Sequence, residues 1–70
     1  MSADGLIRRA RKTLALTQEQ LAARAGVNDS SVSAAERARN PTAGTLEKYG
    51  QAMGLELRVF YLTADGKVIS

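Results

Sequence analysis

Leu6, Ile7, Ala10 and Leu14 recur at the spacing of one helical face and predict a first helix from about Asp4 to Leu14, opened by Ser2 or Asp4. Arg11 falls inside this apolar stripe. A second set, Leu21, Ala22 and Ala25, follows Thr17 and Gln20, whose spacing is that of a capping box. The threonine hydroxyl accepts from a first-turn N–H while the glutamine side chain reaches back, so Thr17 starts a second helix. Gly26 stops it, because glycine accepts the left-handed conformation of a helix C-terminus, and Val27 supplies the apolar anchor of the turn. Asn28, or failing that Asp29, caps a third helix with Val32 and Ala35 on its inner face, while Asp29, Ser30, Ser33 and Ala34 point elsewhere.

After Pro41, Leu46, Tyr49 and Met53 mark a fourth helical stripe that Gly54 terminates; Tyr49 and Met53 read as core residues. Thr42 could cap this helix or donate to a phosphate. The period then changes. Leu55 to Thr63 is partly alternating, aromatic and β-branched, and ends at Ala64-Asp65-Gly66-Lys67, the pattern of a strand or of a hairpin returning through Lys67 to Ile69. The fold class is therefore mainly α: a compact four-helix domain over residues 1–54, with a C-terminal β-strand or hairpin over residues 55–70. The second and third helices, joined at Gly26, have the shape of a helix-turn-helix. The short polar outward face of the third suits entry into the major groove of duplex DNA.

Composition narrows the function classes. Seventy residues make one small domain with a limited core. The chain has no cysteine and no histidine, which argues against a disulfide, a thiolate metal site, a cofactor and an enzyme. No apolar stretch at the N-terminus is long enough for a signal peptide or membrane span, which points to a soluble cytoplasmic protein. The net charge of +3 is unevenly placed. Through residue 40, Arg8, Arg9, Arg11, Lys12, Arg24, Arg37 and Arg39 face Asp4, Glu19, Asp29 and Glu36, which carries the whole excess; beyond it the charges cancel. A positive field on the helix-turn-helix half is what phosphate neutralisation requires, although a solvated face of the first helix gives the same signal.

The segments TQEQLA, AGV, SSVS with the following Glu36-Arg37, a proline, and then TLEKYGQAMG resemble the lambda-repressor-like, Cro-type helix-turn-helix family, also called the xenobiotic response element family. The likeness covers about residues 6 to 55. It implies a lambda-repressor-like domain that binds double-stranded DNA as a transcriptional regulator. In this family an arginine at the position of Arg11 pairs with the glutamate that ends the third helix, here Glu36, and a charge inside the apolar stripe needs such compensation. The resemblance also gives Gln18 the role of donating to a phosphate and bracing the third helix. Asn28, Asp29, Ser30 and Ser33 are the candidates for base or phosphate contact, with Ala34 limited to a thymine methyl. This set holds no arginine or glutamine, and Asp29 can only accept, for example from cytosine N4, or repel phosphate. Arg37, Arg39 and Asn40 are placed to grip the backbone, with Arg8, Arg9 and Lys12 as additions. Two positions depart from the family pattern: Ala35 stands where a larger aliphatic is usual, and Ala38 where a glycine commonly ends the helix. Ala38 suggests that the third helix ends less sharply, or runs on to Asn40, before Pro41 breaks it.

The C-terminal segment resembles that of HipB-like antitoxin repressors, in which a strand pairs with its twin. This implies a homodimer with Leu57, Val59 and Tyr61, or the opposite set with Phe60 and Leu62, at the interface, reading an inverted repeat. The alternative is a strand folded back on its own helices. Three functions follow: a DNA-binding repressor of its own promoter, an antitoxin that binds operator DNA and a toxin, and a protein adaptor without DNA binding.

Overall fold

The computed structural model describes residues 5–57 and 61–69. Four helices, α1 (Leu6–Thr13), α2 (Gln18–Ala25), α3 (Asp29–Arg37) and α4 (Ala43–Ala52), precede three short strands, β1 (Glu56–Leu57), β2 (Tyr61–Leu62) and β3 (Val68–Ile69).

Local chemistry sets the helix ends. Thr17 Oγ1 accepts from the Gln20 backbone N–H at 3.0 Å, and Gln20 Oε1 accepts from the Thr17 N–H at 2.8 Å, so the capping box of α2 is complete. Thr42 caps α4 by accepting from the Thr45 N–H at 3.1 Å. Three helices end alike, with an N–H reaching back five residues: Leu16 to Arg11 O, Val27 to Ala22 O and Leu55 to Gly50 O. Each donor follows a residue with positive φ, and each is an apolar side chain packed in or against the core. Two of the positive-φ residues are Gly26 and Gly54; the other is Ala15, at φ 57°.

Two helix boundaries differ from the sequence reading. α1 begins at Leu6, because Gly5 is left-handed and lies outside the helix, and it has no side-chain cap; the expected caps Ser2 and Asp4 lie outside the described residues. α3 stops at Arg37 and does not run on to Asn40. Without a glycine for a left-handed turn, the chain leaves the helix at Ala38 in an extended conformation, φ −66° and ψ 129°.

The segment from Leu55 to Thr63 is not one strand. β1 pairs with β2 antiparallel, Leu57 opposite Tyr61 and Glu56 opposite Leu62, and β2 pairs with β3, so that β2 is the centre of a three-stranded sheet. The row Leu57, Tyr61 and Ile69 faces the helices; the row Glu56, Leu62 and Val68 faces outward, with Val68 53% exposed. Thr63 organises the β2–β3 turn: its N–H donates to Lys67 O at 2.8 Å and its hydroxyl oxygen accepts from Lys67 N–H at 2.8 Å.

Tyr61 explains the fold-back. Its ring is wholly buried against Gly50 of α4, where a Cβ would stand 2.7 Å from Tyr61 Cε1. Its hydroxyl donates to Leu46 O at 2.6 Å, and burial pushes the phenol up to about 12. Tyr61 is therefore spent inside its own chain and is withdrawn from the expected dimer interface. Val59 and Phe60, also expected there, lie outside the described residues. Leu55, Tyr61 and Ile69 join Leu6, Ile7, Leu21, Val32, Leu46 and Tyr49 in one core.

Candidate nucleic-acid interface

The turn between α2 and α3 is built from Gly26, Val27 and Asn28. Gly26 reverses the chain at φ 71°, Val27 packs against the core, and Asn28 Oδ1 accepts from the Ser31 N–H at 3.1 Å to cap α3. Val32 is fully buried and Ala35 partly so, which turns the opposite side of α3 outward: Asn28, Asp29, Ser30, Ser31 and Ala34 are all exposed.

The last turn of α3 is held from two sides. Arg11 of α1 donates through Nε to Glu36 Oε2 at 2.6 Å and through Nη2 to Oε1 at 3.2 Å; its Nη1 donates to Leu16 O at 2.9 Å. Gln18, the first residue of α2, donates through Nε2 to Glu36 Oε1 at 3.1 Å. One N–H of that amide is thus engaged and the second is left for an outside acceptor. Burial raises the Glu36 pKa, but hydrogen bonds from Arg11 and Gln18, with the charges of Arg11 and Arg8, outweigh it and hold the carboxyl below its ordinary value. The carboxylate stays ionised.

Around this tie lies a hollow of about 220 Å³ lined by Arg8, Arg11, Gln18, Ser33, Glu36 and Arg37. Ser33 is half-buried in its wall, whereas Arg37 is exposed at the rim, and Arg39 and Asn40 are exposed in the loop beyond α3. Only Arg11 and Gln18 bond the carboxylate, so Arg8, Arg37 and the Ser33 hydroxyl, which also line the hollow, leave donors in excess, which suits an anion such as a phosphate. On the other flank of α3 a shallow groove of about 400 Å³ runs between Ser31, Ala34 and Ala38 and the α4 residues Thr45 and Lys48, with Asn40 and Thr42 at one end. Ala35 also lines it.

The basic residues of α1 divide between two sides of the helix. Arg8 and Arg11 line the hollow beside α3, while Arg9 and Lys12 line a separate groove with Thr13, Val68 and Ile69 beside β3. Helical spacing carried that signal, since Arg8 precedes Arg11 by three residues. Lys48, which the charge count of the sequence set aside, borders the α3–α4 groove; its signal was its place three residues after Thr45. Among the described residues no group of acidic, histidine or cysteine side chains could hold a metal, and no helix is long and apolar enough to cross a membrane.

The family model described as helix-turn-helix, HTH_3, matches residues 7–60, well over half of the chain. The protein belongs to this family, and its domain is that of a DNA-binding transcriptional regulator. The family is one of regulatory domains and not of enzymes. Comparison with curated proteins and with solved structures gives no match.

Proposed function

We propose that the protein is a sequence-specific repressor that lays the N-terminal half of α3 in the major groove of duplex DNA. The observation that carries this reading is the grip on Glu36: α1 and α2 together fix the angle of a helix whose first three residues, Asp29, Ser30 and Ser31, are exposed. Asn28, Asp29 and Ser30 face the base edges. The hollow formed by Arg8, Gln18, Ser33 and Arg37 seats one backbone phosphate, and Arg39 and Asn40 grip the strand beside it. No cofactor takes part, and the protein acts in the cytoplasm.

The protein works as a twofold homodimer. With Tyr61 internal, the surface left for the partner is the outward row of the sheet, Leu62 and Val68, with the edge at Leu57; the exposure of Val68 supports this choice. Two α3 helices about 34 Å apart would read an inverted repeat and block a promoter by occupancy. Selection of bound duplexes from a random pool tests the reading: an enriched inverted repeat supports it, and no enrichment favours a protein adaptor. A second reading, an antitoxin that also binds a toxin, draws on the groove of Arg9, Lys12, Thr13 and Val68, which lies on the β3 side of α1. Co-purification of a larger partner with the protein tests it.

A further inference from the structure

Tyr49 is only 4% exposed, yet its hydroxyl meets no hydrogen-bond partner among the described residues. A buried phenol ordinarily finds one, as Tyr61 does at Leu46 O. Among the described residues no buried polar atom is both sealed off and unpartnered. The Tyr49 hydroxyl therefore keeps an opening to the outside, and the hollow that its side chain lines is the groove between α3 and α4. Burial, and after it the charge of Glu36, push the phenol above its ordinary value, so it stays an O–H donor at neutral pH. The hydroxyls along the groove are otherwise committed: Ser31 Oγ donates to Asn28 Oδ1 at 2.9 Å, and those of Thr42 and Thr45 meet each other at 2.9 Å. Lys48 is exposed beside them and has no ion pair among the described residues, nor does an acidic residue stand three or four positions from it.

We infer that this groove of about 400 Å³ is a binding site for a small carboxylate with an apolar body, which accepts from the Tyr49 hydroxyl and pairs with Lys48. The body lies against the apolar wall of Ala34, Ala35, Ala38 and Pro41. A bare phosphate would leave that wall uncovered, and a neutral hydrocarbon would leave the Tyr49 donor unused. The occupant runs beside the exposed Ser31 and Ala34 of α3 and brings a negative charge to the end of the groove that holds Asn40. Given the proposed placement of α3 in the major groove, on which this part rests, it repels the strand that Asn40 grips and antagonises duplex binding.

The test titrates the full chain with 3-phenylpropanoate, followed by amide NMR in the absence of DNA, alongside 3-phenylpropanol and acetate. The acid should give saturable shifts at Ala34, Ala38, Thr45 and Lys48, and should bind about tenfold more tightly than either the alcohol or acetate. Tyr49→Phe keeps the ring and loses only the hydroxyl. It should weaken the acid about tenfold while the thermal midpoint stays level or rises, because no hydrogen bond within the protein is lost. Lys48→Gln should weaken it likewise. No saturable shift, shifts away from the groove, or equal affinity for the alcohol or in Tyr49→Phe overturns the site, whether or not the protein binds a duplex. Saturable binding that leaves the affinity for the selected duplex unchanged overturns the antagonism and leaves the DNA-binding reading intact. Absence of any duplex binding overturns that reading and the antagonism together, and leaves the site to the titration.

Discussion

Arg11 Nε lies 2.6 Å from Glu36 Oε2, and the two side chains keep only 11% and 4% of their full exposure. The guanidinium bridges both carboxylate oxygens and the Leu16 carbonyl, so one side chain joins α1, the α1–α2 turn and the end of α3. Removing it leaves a buried carboxylate with Gln18 as its remaining hydrogen-bond donor. Arg11→Ala should cost about 3 kcal/mol in stability, read as a shift of the urea midpoint at constant slope.

Acid should expose the same tie. Because the Glu36 carboxyl is held below its ordinary value, its contribution is complete above the unfolded-state pKa and is lost as pH falls through the folded one. Stability should therefore fall on acidification below about pH 4. Glu36→Gln should be less stable at neutral pH and should show a flatter acid limb. An acid limb identical to that of the wild type would remove Glu36 as its source.

Two glycines of α4 should respond in opposite senses. Gly50 has no room for a Cβ beside the fully buried Tyr61 ring, so Gly50→Ala should cost about 1–3 kcal/mol. Gly44 is exposed and meets nothing closer than Thr42 Oγ1 at 3.9 Å, so Gly44→Ala should gain about 0.5–1 kcal/mol from reduced backbone freedom. Thermal unfolding of the pair reads both signs in one experiment.

A chain ended after Gly54 should not be a stable monomeric domain. It would lack Leu55, Tyr61 and Ile69, all 7% exposed or less, and with them the partner of Leu46 O. Sedimentation together with circular dichroism should find it unfolded or markedly destabilised, whereas a folded, cooperative monomer would contradict the shared core.

The helices of this protein are written locally, and so they were legible. Thr17 with Gln20, Gly26 with Val27, and Asn28 each fix a helix end within a few residues, and the structure has those ends. The stripe position of Arg11 and the likeness of the segments around Glu36 pointed to the pair that the structure brings together. The return through Lys67 to Ile69 was read and is present as β2–β3, whereas the pairing of β1 with β2 was not, because it depends on a contact far along the chain: Tyr61 fills the space over Gly50 and reaches Leu46 O. Alternation records which residues can pair, not where the chain reverses. The division of the α1 cations between two grooves was likewise hidden in a net charge, which has no direction.

Salt dependence of duplex affinity is the most direct test of the proposed interface. Fluorescence anisotropy of the selected duplex between about 50 and 200 mM salt should give affinity that falls steeply, since each neutralised phosphate adds about −0.9 to the logarithmic slope. Alanine at Arg37 and Arg39 together should flatten that slope by about 2 per protomer and weaken binding uniformly across sequences. A wild-type affinity insensitive to salt, or an unchanged slope in the double variant, would contradict the placement of this face on the DNA backbone.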